Sequence, residues 1–220
     1  ALVSIIAAIR HFLFPDRVII GADFVPWLIV GFLAFSLFRE NMGNAPGAID
    51  ANKGLFTYRQ VLPIDAVIAR MAFDGALKTL VLLLFLLFAP PLEIKLLPSN
   101  PMGAIFIWVP IWIFSTAIGL ILSALKIFIP EIGRVVRIAG LPLLICSAVL
   151  FPATLIPHAF REYALLNPLL HVIECLRFTF FEDYKSIDGV TLWYPWGWTL
   201  VTLTLGILLH LRYKVRLKSL

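Results

Sequence analysis

Charge is scarce in this chain. Asp, Glu, Lys and Arg make up only 14% of its 220 residues, and 61% are hydrophobic, against about 25% charged in an ordinary soluble domain. So little polar surface could not cover a water-facing core, and a mean hydropathy of +0.97 excludes a soluble globular domain. Cysteine is nearly absent. Cys146 falls in an apolar stretch and Cys175 in a polar segment, so no disulfide is expected, and two Cys with four His give no zinc spacing. No metal site is expected.

Catalytic signatures are missing as well. The chain contains no Gly-x-x-x-x-Gly-Lys-Ser/Thr, and Gly43-Asn-Ala-Pro-Gly47 lacks the lysine that a phosphate loop needs. Gly-x-Ser-x-Gly, His-Glu-x-x-His and Cys-x-x-Cys are absent too. His171 and Glu174 stand three apart, a spacing that could ligate a metal but reads better as the polar face of an interfacial helix. The net charge is +5, yet no basic run with interleaved aromatics suggests a nucleic-acid partner. There is no soluble linker, low-complexity tract or internal repeat.

What remains is an all-α membrane protein of one transmembrane domain over residues 1–220. Six apolar stretches, at about 1–14, 24–38, 63–88, 102–125, 135–156 and 195–211, are separated by Pro, Gly or charge. The first would reach only ~21 Å as a helix, short of a ~30 Å hydrocarbon core, so a span truncated at its N-terminus is expected. Pro63 with Asp65 in the first turn marks a helix start. The fifth stretch carries Gly140, Pro142, Pro152 and Pro157 in or beside it and is expected to bend or to line a cavity. Between it and the sixth lies a segment, 158–190, too polar to span. There Asn167-Pro168 reads as N-cap and first residue of a short helix lying at, or dipping into, the outer leaflet.

Eleven of the 18 basic residues fall on one side, including Lys53, Arg59, Lys126, Arg134, Arg137 and Arg212. That side is therefore expected to be cytoplasmic, with both termini on it.

Three groups of polar or aromatic residues are candidate sites. The first is the polar island between the second and third stretches. Residues 50–59 can form a short helix parallel to the membrane. Leu55, Phe56 and Tyr58 would project bulk, and Asp50, Asn52, Lys53 and Arg59 would supply polarity. Such an element suits docking in a partner's groove or lying on lipid headgroups. The second is Asp74 and Lys78, an acid four residues before a base inside an apolar stretch. A charge there costs ~2.5–3.5 kcal/mol on an insertion scale. The pair reads as the polar wall of a conduit, as an in-helix pair between helices, or as part of a proton relay. The third is Trp193, Tyr194 and Trp196 with Trp198, either an interfacial aromatic belt or a sugar-stacking surface.

Gly47-Ala-Ile-Asp-Ala-Asn-Lys-Gly-Leu-Phe-Thr-Tyr-Arg59 and Pro63-Ile-Asp-Ala-Val-Ile-Ala-Arg70 together resemble the permease subunits of capsular polysaccharide exporters, within the ABC-2 type transporters. Phe128-Ile-Pro-Glu131, Phe151-Pro152, Ile156-Pro157 and Leu166-Asn-Pro-Leu-Leu-His-Val-Ile-Glu174 extend the likeness over nearly the whole chain from about Ile5. The resemblance implies an N-terminal amphipathic helix ahead of the first span, and no match to it is expected within these residues. The resemblance implies a homodimer of six-span subunits in a bacterial inner membrane, with two separate ATP-binding cassette subunits that hold ATP and Mg. No cofactor would sit in this chain. The 50–59 element would be the cytoplasmic coupling helix, and periplasmic helices would stand between spans five and six. A lipid-linked polysaccharide would be carried, and periplasmic and outer-membrane export proteins would complete the route. An O-antigen or teichoic acid exporter is the nearest alternative. A lipid-linked sugar transferase would need an acid or His cluster on one membrane face, and the sequence offers none.

Overall fold

The computed structural model describes residues 19, 21–92 and 94–218, and the first apolar stretch lies outside them. The described residues contain eight α-helices and three short 3-10 turns joined by loops, with no strand among them. The helices are α1 (Phe24–Ala51), α2 (Pro63–Phe88), α3 (Pro101–Leu125), α4 (Ile132–Cys146), α5 (His158–Ala164), α6 (Pro168–Phe180), α7 (Trp193–Arg212) and α8 (Lys214–Lys218). By length and composition α1, α2 and α3 can each cross a membrane.

Local sequence sets the helix starts. The backbone N–H of Leu62 donates to Asp65 Oδ2 at 2.8 Å, closing the first turn of α2 behind Pro63. Asn100 Oδ1 accepts from the Gly103 N–H at 2.9 Å ahead of α3, and Asn167 Oδ1 accepts from the Leu169 N–H at 3.0 Å ahead of α6. In both cases proline is the first helical residue, where its missing donor costs nothing.

Two boundaries differ from the sequence reading. The helix expected over 24–38 continues to Ala51, so the first part of the polar island is helical and only 52–62 connects α1 to α2. Asn41, Ala45, Ala48 and Ile49 are buried on this extension, and packing carries the helix past Arg39 and Glu40. The fifth stretch is helical only to Cys146. It then breaks, with Ala148 at φ 51°, and resumes as a 3-10 turn at Ala153–Leu155.

α3 is the centre of the molecule, packed against α1, α2, α6 and α7. Its Phe114 stacks on Phe38 of α1 with ring centroids 5.5 Å apart. Leu77, Leu80, Leu83, Leu84 and Leu87 of α2 and Leu200, Val201, Leu205 and Leu208 of α7 are exposed. These outward apolar faces suit contact with lipid.

The short helix α6 does not present His171 and Glu174 as an exposed polar face; it is packed into the protein core. α6 packs on α1 and α3, and His171, Glu174, Cys175 and Arg177 are all buried. The His171 ring nitrogens, the Glu174 carboxylate and both Arg177 Nη atoms find partners inside the protein, which makes their burial tolerable, while Arg177 Nε has none.

Candidate functional site

The connector between α1 and α2 begins with Asn52, whose Nδ2 donates to the Ala48 carbonyl at 2.8 Å. Lys53–Thr57 then winds one 3-10 turn with no buried residue. Leu55 and Tyr58 stand exposed, as do Lys53 and Arg59. Phe56 turns back and packs on the cluster of Ile49, Val67, Met71 and Leu120. The three bulky residues of the connector are thus divided: two face outward and one anchors. Asp50 pairs with Lys53 at 3.3 Å and with Lys126 at the end of α3. The connector is therefore tied by charge to the central helix as well as by chain to α1 and α2.

Beside it lies a cavity of about 420 Å³, between the last turns of α1, the start of α2 and the start of α4. Arg70, Lys126, Arg134 and Arg137 line it, with Glu131 the one carboxylate. Three of the four cations are already paired, Arg70 with Asp74, Lys126 with Asp50 and Arg134 with Glu131 at 3.2 Å, so the net positive charge facing the cavity is small. In the sequence, Lys126, Arg134 and Arg137 mark only a side of the membrane. Arg134 and Arg137, three apart on a helix, were the available signal.

Asp74 and Lys78 do not pair. Asp74 Oδ2 accepts from Asn44 Nδ2 at 2.7 Å and from Arg70 Nε at 3.0 Å. Lys78 Nζ reaches Glu40 Oε1 of α1 at 2.6 Å. Together they form a ladder of charges along the α1–α2 contact that runs toward the basic cavity.

Of the aromatic residues at the start of α7, Tyr194 and Trp198 meet edge-on with ring centroids 6.4 Å apart. Trp193 is 85% exposed and Trp196 is half-buried. The Tyr194 hydroxyl donates to the Leu166 carbonyl at 2.9 Å, and its ring lies 5.1 Å from that of His171.

One polar cluster was not legible as such. Glu174 and Arg177, both fully buried, pair at 2.6 Å, and Tyr184 donates to Glu174 Oε2 at 2.9 Å. Burial first, and then the Glu174 carboxylate, push the Tyr184 phenol above its ordinary range, so it remains a donor. His171 donates through Nε2 to the Leu165 carbonyl at 2.8 Å and accepts at Nδ1 from the Thr191 N–H at 3.0 Å. Both of its ring nitrogens are committed inside the protein. Among the described residues no cluster of His, Cys, Asp or Glu could hold a metal, and both cysteines are free.

Comparison with known proteins places these features in context. The family model described as "ABC-2 type transporter" matches residues 2–181. The polysialic acid transport protein KpsM of Escherichia coli is 34% identical over 95% of this chain and 79% of its own length. The capsule polysaccharide export inner-membrane protein CtrC of Neisseria meningitidis serogroup A is 23% identical over 87% of this chain and 72% of its own. The O-antigen export system permease protein RfbA of Klebsiella pneumoniae is 26% identical over 87% and 74%.

Proposed function

This chain belongs to the ABC-2 type transporter family, and from that premise we propose that it is the permease subunit of an ATP-driven exporter of capsular polysaccharide. It is a transport subunit of the inner membrane and not an enzyme; ATP is hydrolysed by separate subunits. The observation that carries the capsule substrate is the 34% identity to KpsM over 95% of the chain.

Two copies of the chain would form the channel, each with six spans and both termini in the cytoplasm, and each would engage one ATP-binding cassette subunit that holds ATP and Mg. The cargo would be a lipid-linked polymer, handed on to periplasmic and outer-membrane export proteins. The connector at 50–59 would be the coupling element. Its exposed Leu55 and Tyr58 support docking, and its Asp50–Lys126 pair gives a path from the dock to α3. Asp74 and Lys78 would line the route, and Trp193, Tyr194 and Trp196 would meet sugar at its far end.

A strain lacking the gene should accumulate polymer inside the cell while its lipid-linked synthesis continues. Restored surface capsule on complementation supports the reading, and surface capsule without the gene refutes it. Export of an O-antigen is the second reading, favoured by the similarity to RfbA. Chemical analysis of the retained polymer separates the two.

A further inference from the structure

The break after α4 leaves backbone groups without helical partners, and α6 supplies donors to them from both of its ends. At its N-cap, Asn167 Nδ2 donates to the Cys146 carbonyl at 3.1 Å and to Ser147 Oγ at 3.0 Å. Near its C-terminus, Arg177 Nη1 donates to the Ala148 carbonyl at 2.9 Å and Nη2 to the Val149 carbonyl at 3.0 Å. Ala148 has φ 51°, a left-handed conformation that an alanine rarely adopts and that persists when its surroundings impose it.

The same guanidinium is fixed from other sides. Glu174 Oε1 accepts from Nη1 at 2.6 Å. The guanidinium carbon lies 3.5 Å from the ring centroid of Trp27 on α1. Gly31 leaves the space that Nη2 fills, since a Cβ there would stand 2.2 Å from it. A buried ion pair is weak evidence for stability, because apolar residues of similar volume often serve as well. The forked geometry accounts for arginine here: one planar group reaches two successive carbonyls, the carboxylate and a ring face at once. A lysine offers a single nitrogen.

We propose that Arg177 is a positioning residue for transport. It locks the 147–149 break to α6 so that the two move as one body, and it seats that body on α1 through Trp27 and Gly31. The proposal rests on the exporter reading and refines it: the break shifts when α6 moves against α1, not by refolding. Cys175, buried next to Glu174 and two residues before Arg177, reports the seating.

The test uses the full-length protein assembled with its ATPase in a Cys146→Ser background, leaving Cys175 as this chain's remaining thiol among the two. N-ethylmaleimide is the probe. In Arg177→Lys the complex should assemble and hydrolyse ATP. Export per complex should fall about tenfold or more, as when charge-assisted hydrogen bonds are lost, and Cys175 should become alkylated. Gly31→Ala, which displaces the guanidinium from α1 without removing a donor, should give the same pattern. Either variant exporting at the wild-type rate per complex overturns the proposal. Failure of both to accumulate also overturns it, leaving Arg177 a folding role alone. If the wild-type complex hydrolyses ATP but moves no polysaccharide, the exporter reading fails on its own. The seating of α6 then stands or falls on whether Cys175 is alkylated in Arg177→Lys.

Discussion

Lys78 reaches across to Glu40 on α1 at 2.6 Å and not back to Asp74 one turn away on α2. Asp74 is already held by Arg70 and Asn44. The i,i+4 spacing allowed an in-helix pair, and tertiary packing chose the neighbouring helix.

That choice sets a double-mutant cycle. Lys78→Met with Glu40→Gln should show a coupling of about 0.5 kcal/mol or more, and Lys78→Met with Asp74→Asn should be close to additive. Thermal unfolding of the four proteins of each cycle in detergent checks this.

The buried pair on α6 gives a second. Glu174→Gln leaves the Arg177 charge without its counter-ion in a site with no solvent exposure. Breaking such a pair from one side costs about 3–5 kcal/mol. Arg177→Met strands the Glu174 charge and the Ala148 and Val149 carbonyls as well, so it should be destabilised at least as much as Glu174→Gln, as melting temperatures would show.

Sequence alone gave the membrane class, the proline-marked starts of α2 and α6 and the broken fifth stretch, because proline and polar caps act within one turn. It erred where burial decided. Asn41, Ala45 and Ile49 extend α1 beyond Phe38 because α3 covers them. His171 and Glu174 look like a wet helix face until Arg177 on the same helix, Leu165 just before it and Tyr184 and Thr191 beyond it close around them. Phe56 resembles its neighbours Leu55 and Tyr58 in composition, and only the cluster around Met71 turns it inward. At the candidate site, the connector was legible from its polarity. The cation-lined cavity was not, since Arg70, Lys126 and Arg137 lie far apart in the chain and converge through the packing of α1, α2 and α4.

Cysteine chemistry offers a third prediction. Burial, with the Glu174 charge adding to it, pushes the Cys175 thiol up to about 12. An ordinary thiol near 8.5 gains thiolate steeply between about pH 7 and 9. Cys175 stays neutral throughout that window, because its raised value puts ionisation above it. Mass spectrometry after N-ethylmaleimide treatment of the folded protein should find Cys175 unmodified at both ends of the window, and modified once the protein is denatured.

A fourth concerns the connector. Leu55→Asp with Tyr58→Ala alters only exposed surface, so the fold should melt within about 0.5 kcal/mol of wild type while the ATPase is lost on co-purification. Phe56→Ala removes a half-buried anchor and should lower stability by about 2 kcal/mol. Equal ATPase recovery with the Leu55/Tyr58 variant would argue against docking at this turn.

The most direct measurement reconstitutes the full-length protein with its ATPase in vesicles that carry lipid-linked capsular polymer on the ATPase side. The polymer's susceptibility to an added polysaccharide lyase then reports crossing. The account predicts that ATP makes the polymer disappear from the ATPase side, and that a hydrolysis-deficient ATPase leaves it there. Polymer that stays put with ATP and an active ATPase, or that crosses without either, would contradict it.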